Sequence, residues 1–399
     1  MPNSNQELPL SGIKVLDFGR VISGPFVGQV LSDMGADVIK IERLGSGDET
    51  RSYVSVGKPG ESSLFSTLNR NKRSLAIDLG HADAKRVILK LLETTDVLLH
   101  NFRPGVMNRL GLSAEDVWKV NPRIVYCGIS GFGPGRFEKR PANDVIAQAY
   151  GGLMSFTGDA DGPPVRVPVP IADYTAGFYA TVGILSGLVK RATTGRGCTV
   201  QTSLIEGLMA LECMHIGDFL KTGVLPPKLA SGNMLGQPNQ AFRTKDGAAV
   251  IAAVNDAMWR RCATQLSGEE LANNPRYATG PDRLTHKDEL AKVVEELTMK
   301  HTTEEVVALM AKAECVCSPI NNLDQLTKDP HIRELGIIQK SESEGIELVA
   351  SPLMINGERP KSRRAAPSLG QDADVILKEA GFTAKDIEGF RAAKVLPAS

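Results

Sequence analysis

Short apolar runs alternate with helically spaced segments along the first half of the chain. Ile13-Lys14-Val15-Leu16-Asp17-Phe18 reads as a buried strand. A Gly-punctuated turn then leads into Val27 to Met34, where the apolar spacing is helical and Gly35 supplies a C-cap. Asp37-Val38-Ile39-Lys40-Ile41-Glu42 is the next strand. A strand–helix–strand unit of this kind predicts a parallel sheet with right-handed crossovers. The pattern repeats through a strand at Ser74 to Asp78, a helix at Ala82 to Thr94 and a strand at Asp96 to His100. A helix near 113–120 and a strand from Ile124 to Ile129 follow. The expected class is α/β, with a doubly wound, Rossmann-like large domain over residues 1–222.

The pattern then changes. Val200 to Leu220 reads as helical, and Thr222-Gly223-Val224-Leu225-Pro226-Pro227 reads as a linker. Residues 228–330 are expected to form a smaller α+β domain. There Phe242-Arg243-Thr244-Lys245-Asp246-Gly247 turns into the strand Ala248 to Val254, and helices follow near 256–266, 286–299 and 303–313. Residues 335–399 carry short strands, a basic stretch from Arg359 to Arg364 and a final helix from Ala373. This segment is expected to return to the large domain.

Charge narrows the partners. Among 399 residues, 46 Lys and Arg balance 46 Asp and Glu, which gives no basis for wholesale attraction to nucleic acid or a membrane surface. The opening MPNSNQELPLSG lacks the basic and apolar pattern of a leader, and no apolar run is long enough to span a bilayer. A cytoplasmic location is expected. The six Cys do not read as a disulfide framework, Cys315 and Cys317 read as a pair of packed thiols, and the His positions form no metal-binding motif.

Candidate chemistry centres on Asp173. It lies in Pro168-Val169-Pro170-Ile171-Ala172-Asp173-Tyr174-Thr175-Ala176-Gly177, between an extended run and a small-residue helix start. Taken alone, the decapeptide predicts a helix N-cap; the alternative is a carboxylate nucleophile. A dinucleotide site fails on spacing. The first turn, Gly19-Arg20-Val21-Ile22-Ser23-Gly24-Pro25-Phe26-Val27-Gly28, lacks Gly-x-Gly-x-x-Gly, although Glu42 stands where a ribose-binding acid would. Cations recur at strand ends and in polar turns: Arg43, Arg70, Lys72, Arg73, Arg103 and Arg109. Ligands gather beyond the carboxyl ends of strands in open α/β sheets, so Arg43 and Asn101 to Arg103 suit a phosphorylated ligand. Asp144 opens a further helix, next to Asn143.

These segments together resemble the class III CoA-transferase family. The likeness rests on Leu10 to Asp17, Gly24-Pro25, Leu31 to Glu42, Gly47 to Arg51 and Asn69 to Ser74. It continues through Asn101 to Gly105, Gly131 to Gly133, Gln148 to Gly152, Pro164 to Arg166 and Ile171 to Asp173. Gly195 to Gly197, Phe242 to Gly247 and Asp329 to His331 complete it.

The resemblance implies that Asp173 attacks an acyl-CoA donor, with succinyl-CoA the first choice by family frequency, and carries anhydride and aspartyl-CoA thioester intermediates before a small carboxylic acid takes the CoA. It also implies that Ile22, Ser23, Arg43, Leu68, Asn69, Asn71, Asn101, Phe102, Arg103 and Arg109 hold CoA, with no cofactor beyond it and no metal. Asp144 aligns with an acid near the reaction centre. The family fold is an interlocked homodimer, two rings threaded through one another.

Two positions depart from relatives within the family. α-Methylacyl-CoA racemases, the alternative reading, have a His where this chain has Asn143, and an amide cannot exchange a proton with a substrate carbon near neutral pH. Formyl-CoA transferases carry four glycines where this chain has Gly232-Asn233-Met234-Leu235-Gly236-Gln237. Formyl-CoA and oxalate are therefore disfavoured as substrates, while a lid at 232–237 stays open.

Overall fold

Alternation within the first strand buries both of its faces. In β1 (Lys14–Asp17), Val15 joins one apolar core and Leu16 the other. The computed structural model describes residues 8–53, 62–233, 236–340 and 347–398. Residues 1–7 of the opening segment, and 234 and 235 of the 232–237 stretch, lie outside the described residues.

Six parallel strands form the main sheet: β1, β2 (Asp37–Arg43), β3 (Arg73–Ile77), β4 (Val97–His100), β5 (Val125–Ser130) and β6 (Thr199–Ser203). Their order is β3-β2-β1-β4-β5-β6, so the direction of winding reverses between β1 and β4. The expected Val200–Leu220 helix is corrected here. Residues 199–203 pair with β5 along the sheet edge, and helix begins only at Leu204. The run Thr199-Val200-Gln201-Thr202 is β-branched enough to take a strand, and an available edge decides it.

Helices cover both faces. α1 (Ser23–Asp33) follows β1, α2 (Ser63–Asn69) precedes β3, and α3 (Ala82–Leu92) joins β3 to β4. α4 (Val106–Arg109) and α5 (Ala114–Val120) precede β5. α6 (Asp144–Gly151), α7 (Leu153–Phe156) and the long α8 (Ile171–Thr194) lie between β5 and β6, and α9 (Leu204–Leu211) and α10 (Cys213–Thr222) follow. α1 and α8 share a core with Val15, Val38 and Leu99, whereas α3, α5 and the helix at Ala373–Glu379 cover Leu16, Ile39 and Leu98.

The chain divides into two units. One comprises residues 1–153, 166–224 and 331–399, the other 154–165 and 225–330. Within the first, Asn71 Oδ1 accepts the N–H groups of Arg363 and Arg364 at 2.8 and 2.9 Å. Within the second, Gly158 O accepts the N–H of Ala230 at 3.0 Å, which ties the 154–165 segment to residues remote in sequence. Such pairing leaves no periodic mark, so the sequence offered no sign of it. The second unit has an antiparallel sheet in the order β7-β8-β9, built from β7 (Asn239–Arg243), β8 (Ala248–Ala252) and β9 (Val316–Pro319). Trp259, Cys262, Leu290 and Met310 lie in its core.

Candidate active site

Within the first unit, a cavity of about 740 Å³ opens beyond the carboxyl ends of the strands. It is lined by the turn after β1 (Gly19, Arg20, Val21 and Ser23) and by Asn101 to Pro104 after β4. These two loops flank the point where the strand order reverses, the position at which open α/β sheets bind ligands. Arg43 at the end of β2, Asp78 after β3, Ser130 at the end of β5, Asn143 and Asp173 complete the arrangement.

Asp173 enters the cavity from the first turn of α8. Small residues make this possible: Ala172, Ala176 and Ala180 are fully buried and let the helix lie close on the sheet side. Gly177 permits a close approach to α1, since a Cβ there would lie 2.6 Å from the Phe26 ring and 3.3 Å from Ser23 O. The helix cap expected at Asp173 is corrected. Pro170 holds the N-cap position without a side-chain bond, and Asp173 is the third helical residue. Asp144 supplies the missing acceptor from α6. Its Oδ1 accepts the Ala172 N–H at 2.9 Å, and its Oδ2 accepts from Gln148 Nε2 at 2.6 Å.

An acid in the first turn of a helix is ordinarily held ionised, and this environment reverses that. Asp173 is only 9% exposed. Burial, then the neighbouring Asp144 charge, push its pKa up to about 7, against the hydroxyl and amide of Ser23, which pull it down. The residue therefore changes charge near neutral pH.

The turn facing Asp173 rests on buried charges. Lys72 Nζ, fully enclosed, donates to Asp17 Oδ2 and Pro25 O at 2.8 Å and to Asn69 Oδ1 at 3.0 Å. Lys40 Nζ donates to Gly19 O at 2.8 Å and to Asp48 Oδ2 at 2.9 Å. Asp48 also accepts the N–H of Val21, which sits at φ +64°. A β-branched residue in that left-handed region is strained, so the ion pairs impose the shape of the turn. Asn101 completes the clamp: its Oδ1 accepts from Arg20 N at 2.8 Å, while its Nδ2 donates to Arg20 O at 2.7 Å.

Of the residues singled out from the sequence, Ser23, Arg43, Asn101, Phe102, Arg103 and Asp173 line the cavity. Ile22, Leu68, Asn69, Asn71 and Arg109 are not among its lining. Leu68 and Asn69 are buried, with Asn69 accepting from Lys72. Asn71 takes φ +62° and binds the chain at Arg363 and Arg364. Ile22 occupies the N-cap position of α1, and Arg109 ends α4 on the surface. The roles of Asp17, Lys40 and Asp48 went unread. The available signal was a lone charge inside an apolar strand, Asp17 in β1 and Lys40 in β2.

Among the described residues no group of three or more His, Cys, Asp and Glu gathers as a metal site, and no helix is long and apolar enough to cross a membrane.

Comparison with known proteins gives a coherent result. A model of CoA-transferase family III matches residues 10–373. Human succinyl-CoA:glutarate CoA-transferase is 33% identical over 383 residues, covering 94% of this chain and 86% of its own. Formyl-CoA:oxalate CoA-transferase of Rhodopseudomonas palustris (strain BisA53) is 32% identical over 400 residues, covering 94% of each. The crystal structure of a CAIB/BAIF family protein from Brucella suis superposes with a TM-score of 0.86 at 30% identity, covering 94% of this chain and 100% of that one.

Proposed function

This chain belongs to CoA-transferase family III, and on that premise we propose that it moves CoA from an acyl-CoA donor to a small carboxylic acid through covalent intermediates on Asp173. The observation that carries this reading is a nearly buried carboxylate opening into a cavity whose strand-end loops present Arg43 and Arg103.

An Asp173 oxygen attacks the donor thioester carbonyl. The C–S bond breaks, CoA thiolate departs, and a mixed anhydride joins Asp173 to the donor acyl group. The thiolate then attacks the Asp173 carbonyl and the donor acid leaves as its carboxylate. An acceptor carboxylate opens the resulting aspartyl thioester to a second anhydride. Thiolate attack on the acceptor carbonyl releases the new acyl-CoA and frees Asp173. Each tetrahedral oxyanion needs donors; the N-terminus of α1, with Ser23 as its first residue, faces this position. No metal or organic cofactor beyond CoA enters the scheme.

The named relatives act on succinyl-CoA with glutarate and on formyl-CoA with oxalate. Succinyl-CoA is accordingly the first donor to test, with short mono- and dicarboxylic acids as acceptors. Racemization finds no base at Asn143, whose Oδ1 accepts the Ile146 N–H at 3.2 Å as a helix cap. A homodimer is part of the proposal. Phe178, Val182, Leu185 and Val189 form an exposed apolar stripe along one face of α8 that a second copy would cover.

A matrix of acyl-CoA donors and acids, read by mass spectrometry for new thioesters, tests the activity. Hydroxylamine trapping should place an adduct on Asp173. Transfer that survives in Asp173→Ala would overturn the mechanism.

A further inference from the structure

Asn101 fixes more than the shape of the turn. Its Oδ1 is taken by the Arg20 N–H and its Nδ2 by Arg20 O, so the amide has one orientation only. In that orientation Nδ2 also donates to Ser23 Oγ at 3.1 Å. A serine hydroxyl has a single proton. With Asn101 occupying an acceptor site on Oγ, that proton is left to point elsewhere.

Asp173 is a charged acceptor lining the same cavity. Ser23 is 3% exposed, begins α1, and lines the same cavity as Asp173. Gly177, one helical turn beyond Asp173, has no side chain to hold α8 away from Ser23. Both elements are held in place, α1 by the buried Lys72 bond to Pro25 O and α8 by Asp144. Three neighbouring titratable groups have other partners. Asp144 on α6 bonds Ala172 and Gln148; Tyr174 on α8 stacks edge-on against Phe26; Glu206 on α9 accepts from the Ser203 hydroxyl at 2.6 Å.

We propose that Ser23 is a positioning residue for the nucleophile, its hydroxyl, oriented by Asn101, holding the Asp173 carboxylate in its attacking orientation. The inference rests on the reading of Asp173 as the nucleophile. It goes beyond that reading by assigning the Ser23 side chain to the reacting carboxylate rather than to CoA. No atom is transferred by Ser23. Its donated hydrogen bond favours the charged form of the carboxylate over the protonated one, in the same direction as the pull of Ser23 on the Asp173 pKa.

Ser23→Ala and Ser23→Cys, assayed with succinyl-CoA and the best acceptor acid, test this. The Ala variant should lose about tenfold or more in kcat, as expected for a hydrogen bond to a charged group, with KM for the acyl-CoA within about twofold. The acid limb of its kcat/KM profile should move to higher pH, and Cys, a weaker donor of similar shape, should fall between Ala and Ser. A KM rise with an unmoved pH profile would assign the side chain to CoA and overturn the proposal. So would a Cys variant indistinguishable from the parent, a result still available if the Ala variant does not fold. Activity retained in Asp173→Ala would instead remove the nucleophile reading itself, whatever Ser23 does.

Discussion

Asp144 Oδ1 accepts the main-chain N–H of Ala172 at 2.9 Å, the residue immediately before Asp173. One carboxylate thus caps the helix that carries a second, and its charge raises the pKa of that neighbour. Asp144→Asn keeps an oxygen for Ala172 but turns an N–H₂ toward Gln148 Nε2. Gln148 cannot flip without losing its bonds to Val167 N at 2.9 Å and Val167 O at 3.1 Å. The variant should lose about 1–2 kcal/mol in urea unfolding. Its acid limb should move to lower pH, because burial then raises the Asp173 pKa without the added repulsion of the Asp144 charge.

Asp173 itself should make the fold less stable as pH rises. Its folded pKa, about 7, lies above the ordinary carboxyl value of 3.8, so the native state holds more protons than the unfolded state between those values. Stability falls through that window, by at most about 1.4 kcal/mol per pH unit. Asp173→Asn should abolish activity and raise the melting temperature more at pH 8 than at pH 5. Equal gains at the two pH values would contradict the raised pKa.

Lys72 is enclosed with Asp17, and burial brings its pKa down to about 8. Lys72→Met leaves the Asp17 charge buried, with the Gly19 N–H at 2.7 Å its remaining bond among the described residues. The expected cost is about 3–5 kcal/mol in denaturant unfolding. Adding Asp17→Asn should recover part of it, because the uncompensated charge is then removed.

Arg43 ends β2 on the cavity wall and is exposed there. Arg43→Ala should raise KM for acyl-CoA about tenfold while kcat changes far less, the signature of binding shared by ground and transition states. Raising the salt concentration should narrow the gap between variant and parent.

Val182 is 60% exposed at the middle of the apolar stripe on α8. Val182→Glu should shift the mass measured by light scattering after gel filtration from dimer to monomer. A parent protein that is already monomeric would remove this part of the proposal.

The first five strands and a ligand site beyond their carboxyl ends were legible because they rest on local pattern, whereas β6, which reads as helix, and the strand order were decided by pairing between distant segments. Val15, Leu16, Val38 and Ile39 announce a sheet buried on both faces, and the loops after β1 and β4 then fall where its winding reverses. The acid at 173 was legible too, as was its place at a helix start. Tertiary structure alone decided its state. An acid in the first turn of a helix would be held ionised by the dipole, but burial beside Asp144 outweighs that effect. The same holds for Lys72, which reads as a loop cation and proves to be fully enclosed. Periodicity reports which side of an element is apolar. It carries no information on which distant charge will be folded against a given side chain, and that distance governs both the pKa of Asp173 and the strained turn at Val21.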